Sequence, residues 1–120
     1  MELATIFTML VLFQLKHYYV DFIAQTQEMV VSKGIYGDKL GLLHSFQHTI
    51  FTFFIVLFVV NPLPALCLAG IDFVAHYHID WAKVKFGCRD ITDKLFWNHL
   101  GLDQMLHQIT YIILVVLAIK

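Results

Sequence analysis

The stretch from Leu40 to Pro64, LGLLHSFQHTIFTFFIVLFVVNPLP, decides the fold. Its apolar run is about twenty residues, enough helix to cross a hydrocarbon layer roughly 30 Å thick. It closes on Asn61-Pro62-Leu63-Pro64, where proline ends one helix and restricts the residue before it. It also carries His44 and His48, one helical turn apart, in a segment otherwise fit for lipid. Working outward, three more segments have the same character: Leu3 to Val31, Ala65 to Lys83, and Leu100 to Ile119. The expected fold is all-α, an integral membrane antiparallel four-helix bundle, with residues 1–120 forming a single transmembrane domain. Its spans fall at about 3–31, 40–60, 65–83 and 100–119. Gly34, Gly37 and Asp38 make the first turn. The longest loop, Val84 to Asn98, collects Lys85, Arg89, Asp90, Asp93 and Lys94. Its second part, Thr92 to His99, is predicted to be a short interfacial helix carrying Phe96 and Trp97.

Composition agrees. Of 120 residues, 59% are hydrophobic and 14% charged, and mean hydropathy is +0.72. Soluble domains carry about 25% charged residues, so this chain lacks the polar groups to coat a water-facing surface. That excludes a disordered tail and an ordinary cytosolic enzyme. A net charge of −1 offers no footprint for nucleic acid. Cys67 and Cys88 have no CxxC spacing and are too few for a disulfide framework. Glu2 replaces the basic start of a signal peptide and no small-residue cleavage site follows, so the first span is expected to be retained.

Charge also sets an orientation. The first and third loops, with their helix edges, hold Lys33, Lys39, Lys83, Lys85, Arg89 and Lys94, whereas the opposite side has only Lys120. By the positive-inside rule the basic loops face the cytoplasm. The expected location is the bacterial inner membrane, multi-pass, with both termini periplasmic. Trp81 and Trp97 flank the third loop, where interfacial aromatics belong.

Ionisable groups inside spans cost about 2.5–3.5 kcal/mol each on insertion scales and mark functional candidates. Here they recur at four-residue steps: His17, Asp21 and Gln25; His44 and His48; Asp72, His76 and Asp80, with Lys83 three further on; and Asp103, Gln104 and His107. Residues four apart share a helix face. At 1.5 Å rise per residue, most lie within roughly 5–15 Å of the cytoplasmic surface, and His17 at about 20 Å. Antiparallel packing then brings imidazoles and carboxylates from four spans into one layer. Such clusters hold divalent metals, with zinc ahead of iron or manganese. Asp21, His44, His48, His76, Asp80, Asp103 and His107 are the expected ligands. They exceed what one tetrahedral ion needs, so the site takes two ions, or one with a full outer shell of Gln25, Asp72 and Gln104.

At these residues the chain resembles a family of small bacterial and phage inner-membrane proteins classed as a domain of unknown function. The resemblance covers nearly the whole chain and is carried by four motifs in order. They are His17-x-x-x-Asp21-x-x-x-Gln25; Leu42-Leu43-His44 with His48; His76-x-x-Ile79-Asp80-x-x-Lys83; and Asp103-Gln104-x-x-His107. His78 stands where the family is usually apolar and is left out of the site. A looser similarity to membrane-bound metal-dependent hydrolases implies a fold and no settled activity.

Plainer readings compete. A lone histidine in a helix is more often a satisfied hydrogen-bonder than a ligand, which applies singly to His17, His44 and His99; His99 is expected to be solvated. Gln25, Gln104 and Asp72 serve equally as interhelical glue, and Lys83, Lys85 and Arg89 as topology determinants. Phe51, Phe53, Phe54 and Phe58 form a lipid-facing or packing surface.

Three function classes follow. The leading one is a metal-dependent hydrolase acting on a lipid-borne phosphate or ester near the cytoplasmic face, with His17 or a spare carboxylate as general base and Lys83 holding phosphate. The second is an ion or proton transporter using a His/Asp relay. Against it, Ile50–Val60 and Tyr111–Ile119 contain no ionisable group. The third is a non-enzymatic interaction or phage exclusion protein with a structural metal. A bis-His haem bundle fits less well, because it leaves the aspartates unexplained. The bilayer is the expected partner, with a possible second copy and no nucleic acid.

Overall fold

The computed structural model describes residues 2–120. Among them there are five α-helices and no strand: α1 (Leu3–Tyr18), α2 (Gln27–Ser32), α3 (Lys39–Val56), α4 (Pro62–Phe86) and α5 (Lys94–Ala118). A six-residue π-helical turn, Tyr19–Ala24, extends α1.

Local chemistry explains the boundaries, and it corrects three expectations. The first helical run does not reach Val31. Gln25 adopts extended backbone, and the Thr26 hydroxyl accepts from the Met29 N–H to start α2 as a separate helix. The third loop is also shorter than expected. The Asp93 carboxylate accepts from the Leu95 N–H at 2.8 Å and nucleates α5 at Lys94. The interfacial helix expected at Thr92–His99 is therefore the first part of α5, and the connection shrinks to residues 87–93. Helix α4 begins at Pro62, where proline's missing N–H costs nothing.

Among the described residues two stretches, Leu3–Ala24 and Lys94–Ala118, are long and apolar enough to cross a membrane. Helices α3 and α4 fall short because polar side chains, Lys39, His44, Gln47 and His48 in α3 and Asp72, His76, His78 and Asp80 in α4, lower their mean hydropathy. By length and apolarity the described residues thus present two candidate spans where the sequence predicts four.

Short connections fold α3 onto α4 and α4 onto α5, while α1 packs against α3 and α5 and α2 against α3. The molecule measures 44 × 28 × 22 Å. Its interior has two chemically different halves. Met9, Phe13, Ile55, Val56, Ala65, Leu68, Tyr111, Leu114, Val115 and Ala118 fill the half nearer the termini. Most of the other buried side chains are polar: Lys16, His17, Lys33, His44, His48, Asp72, His76, Asp80, Asp103 and His107. The surface is the reverse. Phe7, Phe22, Phe54, Leu66, Ile112 and many other large apolar side chains are exposed.

Candidate metal centre

Four elements supply the polar interior. Asp21 comes from the π-helical turn, His44 and His48 from α3, His76 and Asp80 from α4, and Asp103 and His107 from α5. Wide turns of this kind are frequent at functional sites. The four-residue steps aim each pair along one helix face, and packing brings the faces together.

Asp21 is the hub on one side. Its Oδ1 lies 2.8 Å from His48 Nε2 and 2.9 Å from His44 Nε2. With His76 these residues offer four ligand atoms that all lie within 4.8 Å of one another. A second group, His76, Asp80 and His107, meets the same limit and shares His76. In it His107 Nε2 is 3.0 Å from Asp80 Oδ1, and His76 Nε2 is 3.3 Å from Asp80 Oδ2. The rings of His48, His76 and His107 stack in sequence, with centroids 3.7 and 4.0 Å apart. Asp103 closes the row, its Oδ1 3.4 Å from His107 Nε2.

His48 and His107 hydrogen-bond to Asp21 and Asp80, but the contacts of His44 and His76 are close and poorly aimed. His44 Nε2 and His76 Nε2 approach carboxylate oxygens, yet both remain buried without a hydrogen-bond partner among the described residues. The Nδ1 atoms of His44, His48, His76 and His107 are likewise unpartnered. A buried polar atom left unsatisfied costs about 1–3 kcal/mol. Nitrogen and oxygen atoms that crowd together without pointing at one another suit a cation lying among them. Each ligating imidazole would then present its Nε2 lone pair and carry its proton on Nδ1.

Lysines divide the carboxylates. Lys33 Nζ is 3.1 Å from Asp80 Oδ2, Lys83 Nζ is 3.1 Å from Asp103 Oδ2, and Lys16 Nζ is 2.8 Å from Asp72 Oδ2. Among the described residues no ammonium lies within ion-pairing distance of Asp21. One carboxylate surrounded by imidazoles is therefore left without a cation.

The outer residues behave less uniformly than their spacing implies. Gln104 does orient the site. Its Nε2 donates to Asp103 and leaves its Oε1 2.7 Å from His17 Nε2. That fixes the His17 proton on Nε2, so Nδ1 accepts from the Tyr111 hydroxyl at 2.7 Å. With both ring nitrogens engaged, and Nε2 also 3.2 Å from Asp21 Oδ2, His17 positions Asp21 and has no lone pair free to act as a base. Gln25 does not reach the cluster; its amide donates to the Asp21 carbonyl. Asp72 is a turn deeper than His76 and is bound by Lys16 and by the Thr52 hydroxyl at 2.5 Å. His99, expected to be solvated, is half-buried and accepts from the Cys88 N–H at 2.8 Å. His78 stays outside the cluster, bonded to Tyr36. Cys67 and Cys88 are both free thiols.

Sequence reasoning missed Lys16, Lys33, Thr52 and Tyr111. Lys16 meets the rule that flags the others, being an ionisable residue inside an apolar run. It adjoins His17 and was hidden by the four-residue stepping. Lys33 looked like a topology charge because it follows the end of a helix.

A family model of proteins of unknown function, DUF3307, matches residues 9–120. The chain belongs to this family. The match takes in every residue of the cluster, so the candidate centre lies wholly within the DUF3307 region. No curated protein and no solved structure matches it.

Proposed function

We propose that this DUF3307 protein is a membrane-embedded metal protein that holds one divalent ion, with zinc the best chemical fit, at Asp21, His44, His48 and His76. The carrying observation is the Asp21 carboxylate, contacted by two Nε2 atoms at 2.8 and 2.9 Å and left without a lysine. Charge accounting favours one ion over two. Asp80 is already neutralised by Lys33 and Asp103 by Lys83, so a second dication would have to displace an ammonium. Three imidazoles and a carboxylate are ligands that zinc, iron and manganese accept, and zinc ranks highest where imidazole predominates.

The reaction class we assign is hydrolysis of a lipid-borne phosphate or ester near the cytoplasmic face. When bound, the metal would supply an acidified water and polarise a phosphoryl or acyl oxygen. The chain's own part is to hold and aim. Lys33 keeps Asp80 in place beside His76, Gln104 and Tyr111 fix His17 against Asp21, and Lys83 stands at the mouth. His17, whose nitrogens are both occupied, is not free to act as the general base, which leaves that role to a carboxylate. Against a conducting path, the half nearer the termini is packed with buried apolar side chains, among them Phe13, Tyr111 and Leu114.

The exposed apolar surface and the buried charges support the membrane placement, since a water-soluble domain arranges them the other way. In this reading all four long helices lie in the inner membrane, basic loops face the cytoplasm, and the termini are periplasmic. Metal analysis of detergent-purified protein is the test. Wild type should carry about one zinc-group ion per chain, and Asp21→Asn and His48→Ala should lose it. Full stoichiometry in both variants, with folding intact by circular dichroism, overturns the site.

A further inference from the structure

Two cavities meet at Lys83 and His99, and they are chemically unlike. The first, about 420 Å³, lies between α4 and α5 and is walled by Ile79, Ala82, Phe86, Leu102 and Leu106, with Asp103 at its inner edge. The second, about 400 Å³, is lined more by polar groups, among them Gln25, Gln27, Cys88 and Arg89. Both are within the size range of small-molecule sites, roughly 300–1,000 Å³. Lys83 and His99 line both. The chain therefore builds an apolar slot beside a cation-bearing chamber, with Lys83 and His99 bordering both.

We infer that the pair of cavities is an amphiphile site, taking one acyl chain between α4 and α5 and an anionic phosphate headgroup between Lys83 and Arg89. This deepens the hydrolase reading by naming its substrate class, and it rests on that reading for the membrane placement. Charge selects the occupant. A second protein helix would fill the slot but leave Arg89, which makes no ion pair among the described residues, without an anion, and inorganic phosphate would match the cations but leave the slot empty. Only a molecule with both parts satisfies both cavities. The headgroup end also leads inward. Lys83 is paired with Asp103 at 3.1 Å, and Asp103 lies 3.4 Å from His107, which belongs to the second ligand group. A phosphate arriving at Lys83 competes with Asp103 for the ammonium, coupling occupancy of the chamber to the edge of the metal cluster.

Native mass spectrometry of the detergent-purified full chain tests this with three probes: palmitoyl lysophosphatidic acid, monopalmitoylglycerol and inorganic phosphate. The phosphate-bearing lipid should be retained at least tenfold more strongly than either other probe. Arg89→Gln and Lys83→Met should each cut that preference several-fold. Arg89 is exposed, so its variant keeps the test sharp should Lys83→Met, which strands Asp103, fail to fold. Ala82→Trp, which fills the slot, should abolish lipid retention while metal content stays at the wild-type value. Equal retention of neutral and anionic lipid, inorganic phosphate binding as tightly as lipid, or lipid binding untouched by Ala82→Trp overturns the inference. So does a dimer that Ala82→Trp disrupts, because the slot would then hold a second copy. Metal content separates the two claims. Metal without lipid preference sinks only the amphiphile site, and lipid preference without metal sinks only the metal centre.

Discussion

Lys16 carries the sharpest energetic statement that a single residue makes here. Its side chain is 2% exposed, and its ammonium contacts Asp72, Thr52 and the His48 carbonyl at 2.8, 2.8 and 3.3 Å. It also lies 4.7 Å from the Tyr111 ring centroid, within cation–π range. Removing one member of a buried ion pair costs about 3–5 kcal/mol, because the remaining charge is stranded, whereas replacing both by apolar groups is often neutral. Lys16→Met should thus lower the thermal midpoint sharply in detergent, and Lys16→Met with Asp72→Leu should recover most of the loss. Equal losses in the single and double variants would show that the pair is not what Asp72 depends on. The pair was only half legible. Asp72 announced itself by standing four residues before His76, but nothing in the spacing of α1 tied Lys16 to α4. Partners contributed by different helices follow from the packing angle, which periodicity does not contain.

At the scale of the elements, what could be read and what could not separates along one physical line. Apolar runs and the Asn61–Pro64 break located α1, α3, α4 and α5, because burial period and proline stereochemistry are local properties. The separate start of α2 at Gln27 is not legible, and neither is the continuity of the helix expected from Thr92 with the last span, which makes α5 one helix from Lys94. Each start is set by one capping side chain, Thr26 or Asp93, inside a stretch whose charges and hydroxyls suggested either loop or span. The π-helical turn that places Asp21 has no composition signal at all. The α2–α3 turn is more transparent. Gly37 has φ +85°, and its N–H donates to the Tyr77 hydroxyl at 2.6 Å. A side chain in that left-handed conformation costs about 1–2 kcal/mol. Gly37→Ala should destabilise the protein by that amount, read from thermal unfolding. Because this turn directly follows Lys33, the variant should also loosen the Lys33–Asp80 pair; a change in neither stability nor the protection of Lys33 from amine labelling would rule the coupling out. In the 87–93 connection, the Thr92 hydroxyl and backbone N–H hold the Asp90 carboxyl below its usual range. Whatever order that turn adds is present above the ordinary carboxylate range and is lost as pH falls through the lowered value.

For the molecule as a whole, the convergence of four polar stripes was legible because depth along a helix is simple arithmetic, while the partition of that layer by three lysines was not. The reversed polarity has one consequence that distinguishes a lipid surround from water. Ile112 lies on α5, 52% exposed, among other exposed apolar residues including Ile109, Ile113 and Val116. Were this face wetted, Ile112→Lys would remove an apolar patch and leave stability within about 0.5 kcal/mol, as surface substitutions usually do. Facing hydrocarbon, the same lysine costs about 2.5–3.5 kcal/mol near the middle of a span. The variant should therefore lose yield in the membrane fraction, while Asn98→Lys, at an exposed position near the start of the same helix, should not. Equal membrane yields for both, or a gain in soluble protein from Ile112→Lys, would place α5 in water and remove the reason for seeking a lipid substrate at its groove.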